Sequence, residues 1–170
     1  MDSEKLRALQ SPLKSQYKDD PESAVITLSS EGKIGEGITC KVDTGKAMVE
    51  AGLHPATGGN GMAVCSGDML LDALVACAGV TLNAVATAIG VKLKDGTAVR
   101  AEGDLDFRGT LGVSKEAAVG FKNIRLKYIL KTDADEEQIA SLLKLTERYC
   151  VVFQTLSSPL SIEVSHSNNG

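Results

Sequence analysis

Tryptophan is absent from this chain of 170 residues, and aromatic residues make up only 4% of it. A hydrophobic core can still form, because 43% of the residues are hydrophobic, but it must be built mainly from Val, Leu, Ile and Ala. Clustered positive charge is lacking as well, since the net charge is −4 and no five consecutive residues carry the same charge. A nucleic-acid surface needs clustered Lys and Arg, so this class of function is disfavoured.

Several patterns of catalytic and metal-binding proteins are also missing. There is no GxxxxGK[ST] loop, no HExxH and no CxxC, and the glycines around Gly58 lack the context of a dinucleotide fingerprint. The four cysteines, at positions 40, 65, 77 and 150, do not have zinc-site spacing. Of the two histidines, His166 lies in a polar tail, so a Ser-His-Asp triad would have to use His54, and no nucleophile elbow is present. We therefore expect neither a metal nor a bound cofactor.

The first twenty residues contain no apolar stretch of the kind found in signal peptides. The longest apolar region, residues 69–91, is interrupted by polar side chains such as Asp72, Asn83 and Thr87. We expect a cytoplasmic protein with no membrane partner. In a reducing compartment, four cysteines do not imply structural disulfides, which leaves metal binding, catalysis or simple packing for each.

Apolar spacing predicts a mixed α+β protein. Helices are predicted at residues 3–17 (short, or broken at Pro12), 69–89 (capped by Asp68 and stopped by Gly90) and 133 to about 149, with residues 151–156 continuing after a break. Strands are predicted at residues 24–28, 37–42, 46–49, 99–109, 120–132 and 160–164, with a hairpin turn at residues 43–45 and a glycine-rich loop at residues 51–67. The order lacks regular βαβ alternation, so we expect antiparallel sheets. The predicted division is a helical extension (1–23), a single domain (24–166) and a polar tail (167–170).

The helix at residues 69–89 is apolar on nearly every side, which is typical of a central helix buried on more than one face. Cys77 lies in its middle, where a cysteine is more often a small core residue than a nucleophile. Cys150 follows Glu147, Arg148 and Tyr149 at the end of the next long helix. A guanidinium nearby can lower the pKa of a thiol, whereas a helix C-terminus disfavours an anion. From the residues alone, a two-thiol site and two packed cysteines both remain open.

Residues 70–82, LLDALVACAGVTL, resemble the LLxALxxCxxxTL helix of the OsmC/Ohr family, the osmotically inducible and organic hydroperoxide resistance proteins. Residues 146–152, TERYCVV, are similar to the second cysteine segment of that family, and the likeness extends over about residues 25–164. The resemblance implies an intertwined homodimer in which antiparallel sheets wrap two long central helices, with active sites at the subunit interface. It also implies reduction of organic or inorganic hydroperoxides in oxidative-stress defence. Cys77 would be the peroxidatic residue and Cys150 the resolving residue, and an external dithiol, from a lipoyl protein or a thioredoxin-like donor, would reset the pair.

The sequence departs from the family where the reactive thiol is normally activated. Family members carry Pro-Glu shortly before the central helix, and this chain has Ser66-Gly67 there, with Asp68 one residue later; residues 24–67 contain no Arg at all. The residues that could activate Cys77 or contact substrate instead are Arg148, Glu147, His54 and Asp68. Cys65, twelve residues before Cys77, is either an alternative resolving thiol or a packed residue, and Cys40 is expected to be packed.

The missing pair of Arg and Glu favours an alternative function. In that hypothesis the protein is a non-catalytic dimer of the same fold, which binds a small apolar ligand or a partner protein in the interfacial cleft. Its Cys77 would then be dispensable.

Overall fold

The computed structural model describes residues 3–34, 40–42 and 51–166. Its helices are α1 (Ser3–Asp19), α2 (Ser66–Ile89), α3 (Phe107–Thr110), α4 (Glu136–Tyr149) and α5 (Val151–Ser157). Its strands are β1 (Val25–Ile34), β2 (Cys40–Val42), β3 (Ala51–Gly52), β4 (Val64–Cys65), β5 (Ala98–Asp106) and β6 (Phe121–Ile129). Short 3-10 turns occupy Pro21–Ala24 and Pro55–Thr57.

The main sheet has four strands in the order β2-β1-β5-β6, and every neighbouring pair is antiparallel. In the centre, β1 pairs with β5 from Val25 opposite Asp106 to Lys33 opposite Ala98. The prediction of an antiparallel α+β fold is confirmed. A second, two-stranded sheet pairs β3 with β4 in parallel, inside the segment predicted to be loop.

Two predicted features lie wholly outside the described residues. These are the strand at residues 46–49 and the turn at residues 43–45. Of the strand predicted at residues 37–42, the part described is Cys40–Val42, which pairs with β1.

Helix α2 is the central helix, as predicted, and it packs against β1, β5, α4 and α5. Its core side chains include Leu71, Leu74 and Leu82, which are almost fully buried. Other apolar side chains of the helix are 37–40% exposed in the single chain, and these are Met69, Leu70, Val80 and Ile89. By length and composition α2 could cross a membrane, but core helices of soluble proteins pass the same test, and 44% of its apolar stretch is buried.

The start of α2 differs from the prediction. The helix begins at Ser66, with Cys65 in the N-cap position and no side-chain cap hydrogen bond, so Asp68 lies in the first turn rather than at the cap. The end is as predicted, because Gly90 adopts a left-handed conformation (φ 77°) and its N–H bonds to the carbonyls of the last turn.

Helix α1 is continuous through Pro12, contrary to the predicted break. Proline removes one backbone hydrogen bond of a helix, a loss that packing elsewhere can offset. Here the Tyr17 hydroxyl donates to the carbonyl of Ala56 (2.7 Å) and the Gln10 amide donates to the carbonyl of Thr57 (3.2 Å). These bonds fasten α1 to the loop that carries His54.

The C-terminal part contains two helices as predicted, but no final strand. Asp135 and Gln138 form a reciprocal capping box at the start of α4, and Cys150 separates α4 from α5. Residues 160–164 were predicted to be a strand, and this is wrong, because they form no strand and pair with none of the strands in the described part of the chain. Their apolar side chains face solvent, with exposures of 55% for Leu160, 80% for Ile162 and 92% for Val164.

Candidate active site

Cys77 of α2 lies against the start of α5. The chain leaves α4 at Tyr149, passes through Cys150 in an extended conformation (φ −75°, ψ 107°) and enters α5 at Val151. The first N–H groups of a helix have no carbonyl partner within it. Here the N–H groups of Val151 and Val152 are directed at the Cys77 thiol.

These contacts lower the pKa of the Cys77 thiol. Burial is the largest single influence and acts to raise the pKa, but hydrogen bonds to the sulfur outweigh it. The donors are the Val152 amide, the Cys150 thiol, the Val151 amide and the hydroxyl of Thr81, which lies one turn further along α2. Each donor stabilises the thiolate form, which is the nucleophilic form of cysteine.

The Cys150 thiol behaves in the opposite way. Its side chain is fully buried, and burial raises its pKa to about 11, with the neighbouring Cys77 adding to the increase and the Phe153 amide opposing it. Cys150 is thus the less acidic thiol of the pair, and it acts as the hydrogen-bond donor to Cys77.

A cleft of about 690 Å³ opens beside the thiol pair, between β6 and the helices α4 and α5. Leu74, one turn before Cys77, and Phe153, just after the two donor amides, both contribute to its wall. The remaining apolar lining residues are Phe121, Ile124, Leu126, Tyr128, Leu143 and Leu156. Polar side chains at the same cleft are Lys122, Asn123, Lys127, Glu147 and Ser157. The cleft thus offers a mixed apolar and polar wall, and Leu74 and Phe153 connect it to the segments that carry the two thiols.

A family model described as OsmC-like protein matches residues 58–165, which include both thiols and the cleft. The chain belongs to the OsmC-like family.

Two solved OsmC-like structures have a similar fold. An OsmC-like hydroperoxide resistance protein from Jannaschia sp. CCS1 superposes with a TM-score of 0.63 and 18% identity, covering 86% of this chain and 95% of that one. An OsmC-like protein from Mycoplasma pneumoniae gives a TM-score of 0.54 and 15% identity, covering 78% of this chain and 85% of that one. At these identities the likeness establishes the fold alone. A search of curated proteins found no match.

In this OsmC-like chain the charged residues of the second cysteine segment do not contact the thiols. Arg148 places its guanidinium 5.6 Å from the ring centre of its neighbour Tyr149, beside a separate shallow cleft. Glu147 lines the main cleft, where its charge contributes to raising the pKa of Tyr128. The hydrogen bonds that lower the pKa of Cys77 come from amides, a thiol and a hydroxyl, and neither Arg148 nor Glu147 is among the donors.

Two of the other predicted site residues, His54 and Cys65, line a second cleft of about 380 Å³ at the start of α2, and Asp68 lies nearby in the first turn of that helix. His54 stacks on Phe107 with ring centres 5.0 Å apart, and its Nδ1 accepts the Ala56 N–H at 3.0 Å. Cys65 lines this cleft with His54. Burial raises the pKa of Asp68, with His54 acting to lower it. These three residues form a separate group from the pair of Cys77 and Cys150.

Sequence reasoning missed Thr81, Tyr128 and the two donor amides. Thr81 carried a usable signal, because residues four apart on a helix share a face. Tyr128 lies in the strand predicted at residues 120–132, and that prediction gave it no role in the site. Its hydroxyl is buried and is the one described side-chain polar atom of that kind without a hydrogen-bond partner.

No cluster of three or more potential metal-ligating side chains occurs within the described ranges. Cys65, Cys77 and Cys150 are all free thiols. The site therefore consists of two thiols of unequal acidity, uncharged donors and an apolar cleft.

Proposed function

We propose that this OsmC-like protein is a thiol-dependent hydroperoxide reductase that acts in oxidative-stress defence, with Cys77 as the peroxidatic and Cys150 as the resolving cysteine. The observation that carries the proposal is the contact between the two thiols, combined with the opposite shifts of their pKa values. The similar structure from Jannaschia is that of a hydroperoxide resistance protein, which supports the same class of function.

The reaction has two steps in the protein. The Cys77 thiolate attacks one oxygen of the hydroperoxide, so that an S–O bond forms, the O–O bond breaks and sulfur supplies two electrons. The leaving oxygen takes a proton and departs as an alcohol or water. Cys150 then attacks the sulfur of the resulting sulfenic acid, which forms the disulfide and releases the second oxygen as water. A dithiol reduces the disulfide and completes the cycle.

The external dithiol would come from a lipoyl protein or a thioredoxin-like donor, and no bound cofactor would be required. The working form would be an intertwined homodimer in the cytoplasm. Exposed apolar side chains on α2, such as Met69 and Val80, and the alternating exposed residues Leu160, Ile162 and Val164 support a partner surface on this chain. Burial of apolar area of this kind is the main driving force for subunit association.

Hydroperoxide consumption with a dithiol reductant tests the proposal. Cys77→Ser is expected to abolish consumption, and Cys150→Ser is expected to reduce one equivalent of cumene hydroperoxide and then stop. Cys65→Ser is the matched control, because it removes a thiol from the second cleft and leaves the pair intact. Consumption by Cys77→Ser at the wild-type rate would reject the proposal.

A non-catalytic binding module is the alternative, favoured by the absence of an Arg from residues 24–67 and by the apolar cleft of about 690 Å³. It predicts slow, nonspecific oxidation of the thiols and a Cys77→Ala variant that retains full ligand binding. Rapid oxidation of Cys77 by one equivalent of hydroperoxide would reject this alternative.

A further inference from the structure

The two clefts of this protein share a lining residue, Phe121. The main cleft, of about 690 Å³, lies between β6 and the helices α4 and α5, and the second cleft, of about 380 Å³, lies at the start of α2. Helix α2 contributes Leu74 to the main cleft and Leu70 to the second cleft. Residues four apart share one face of a helix and lie about 6 Å apart along its axis. The two clefts therefore follow one another along α2.

The ring of Phe121 lies in the layer between the sheet and α2. Buried residues of β5 alternate with more exposed ones and form the face of the sheet that packs on α2, and they include Ala101, Gly103 and Leu105. The Phe121 ring lies over Gly103, where a Cβ atom would be only 2.4 Å from Cε1 of the ring. Glycine at position 103 thus allows the ring to lie directly against β5, between the two clefts.

The walls of the two clefts differ in charge. Lys122, Lys127 and Glu147 line the main cleft, whereas no Lys, Arg, Asp or Glu is among the described residues that line the second cleft. Apolar side chains of the second cleft include Leu53 and Phe107. A wall of this kind suits an alkyl chain, because burial of methylene groups is favourable and no charge loses its water.

We propose that Phe121 is a specificity-determining residue, whose ring separates the two clefts and so restricts the protein to compact hydroperoxides such as cumene hydroperoxide. This inference rests on the proposed hydroperoxide reductase function, in which the substrate occupies the main cleft. A smaller side chain at position 121 joins the clefts, and an unbranched alkyl chain then extends from the main cleft towards Cys65. The size of the ring sets the limit on the length of the ligand.

Phe121→Ala tests the separation of the clefts in the full-length protein, with decanol and hexanol as a long and a short unreactive probe. Isothermal titration calorimetry should show decanol binding at least about tenfold more tightly to the variant than to wild type. Each methylene group that enters the second cleft contributes about fourfold in affinity, so two or more account for this gain. The affinity for the shorter hexanol should change far less.

Cys65 reports on the second cleft itself, because its thiol is free and lines that cleft. In Phe121→Ala, decanol should slow the alkylation of Cys65 by iodoacetamide, as followed by peptide mapping, and in wild type it should not. Leu143→Ala is the matched control, since Leu143 lines the main cleft on α4 and the change leaves Phe121 in place. Decanol should give Cys65 no protection in this control.

Phe121→Val removes the ring but keeps a residue that favours strands, and it decides the result if Phe121→Ala does not fold. Decanol that leaves Cys65 unprotected in the variant without the ring, or that already protects Cys65 in wild type, would overturn the role of Phe121. Neither outcome bears on the reductase function, because the alcohol is not reduced. Failure of wild type to consume any hydroperoxide would instead reject the reductase function, and the restriction to compact hydroperoxides with it.

Discussion

Cys77 and Cys150 share a hydrogen bond in which Cys150 is the donor. The two thiols come from distant parts of the chain and meet because α5 packs its first turn against the middle of α2. Burial and the neighbouring thiol raise the pKa of Cys150, whereas donors around Cys77 overcome its burial and lower its pKa. This difference in acidity supports the proposed order of reaction, with Cys77 first and Cys150 second.

The amide of Val151 is expected to contribute directly to the acidity of Cys77. Val151→Pro removes this N–H at the first position of α5, where proline is tolerated, and the extended Cys150 suits a residue before proline. The pKa of Cys77 should rise by about one unit, the effect of losing one hydrogen bond to a charged group. The rate of Cys77 alkylation by iodoacetamide, measured against pH, gives this pKa.

Val151→Ala is the control for this substitution, since it shortens a side chain that is 71% exposed and keeps the N–H. Its alkylation profile should match wild type. Identical profiles for the proline and alanine variants would show that the amide does not stabilise the thiolate.

Thr81 is expected to stabilise the Cys77 thiolate through its hydroxyl. Thr81→Val retains the shape of the side chain and removes the donor, so the pKa of Cys77 should rise, by up to about one unit. Thr81→Ser keeps the hydroxyl and should retain most of the effect. Thiolate absorbance near 240 nm, followed during a pH titration, gives the pKa of Cys77 in all three proteins. A Thr81→Val variant that titrates like wild type would rule out a contribution of the Thr81 hydroxyl to this pKa.

Cys150 should make the fold less stable at alkaline pH. Its pKa is about 11 in the folded protein against an ordinary value of 9.0, so between these values the folded state binds more protons than the unfolded state. The free energy of unfolding therefore has the full contribution of this group below pH 9 and loses it as the pH rises towards 11.

Urea unfolding of wild type and Cys150→Ala at several pH values between 8 and 10.5 tests this pH dependence. As the pH rises from 8 to 10.5, the free energy of unfolding should fall further for wild type than for Cys150→Ala. Cys65→Ala supplies a control thiol outside the pair. A wild-type minus Cys150→Ala difference that stays constant with pH would contradict the assigned acidity.

Tyr128→Phe should stabilise the protein, because it removes a buried hydroxyl that has no partner. The expected gain in free energy of unfolding is about 1 kcal/mol. Tyr149→Phe, at an exposed site, should change the stability by less than about 0.5 kcal/mol. Urea unfolding at pH 7 measures both. Destabilisation by Tyr128→Phe would mean that the hydroxyl has a hydrogen-bond partner in solution.

The fold class could be predicted from the sequence because it depends on local patterns, whereas Cys77 and Cys150 were singled out as a pair by the family resemblance. The apolar periodicity of α2, the glycine at its end and the break at Cys150 are all properties of neighbouring residues. The activation of Cys77 could not be predicted, because it depends on how α5 packs against α2. Arg148 appeared suitable because it is near Cys150 in the chain, but residues two apart on a helix point in different directions. Its guanidinium lies over Tyr149 instead.

The strand predicted at residues 160–164 failed for a related reason. Alternation of apolar and polar residues indicates a strand only where a neighbouring strand is available for pairing. The described chain offers Leu160, Ile162 and Val164 no such partner, and all three are exposed. The departure at Ser66-Gly67 was visible in the sequence, whereas the amide donors that take the place of the family's charged pair became visible only in three dimensions.

Intact mass spectrometry of the reduced protein, after one equivalent of cumene hydroperoxide, tests most directly whether Cys77 and Cys150 form a redox-active pair. Wild type should lose about 2 Da within the first turnover, and peptide mapping should place the new disulfide between Cys77 and Cys150. Four thiols that stay free under this treatment, or a disulfide that joins Cys77 to Cys65 instead, would contradict the account.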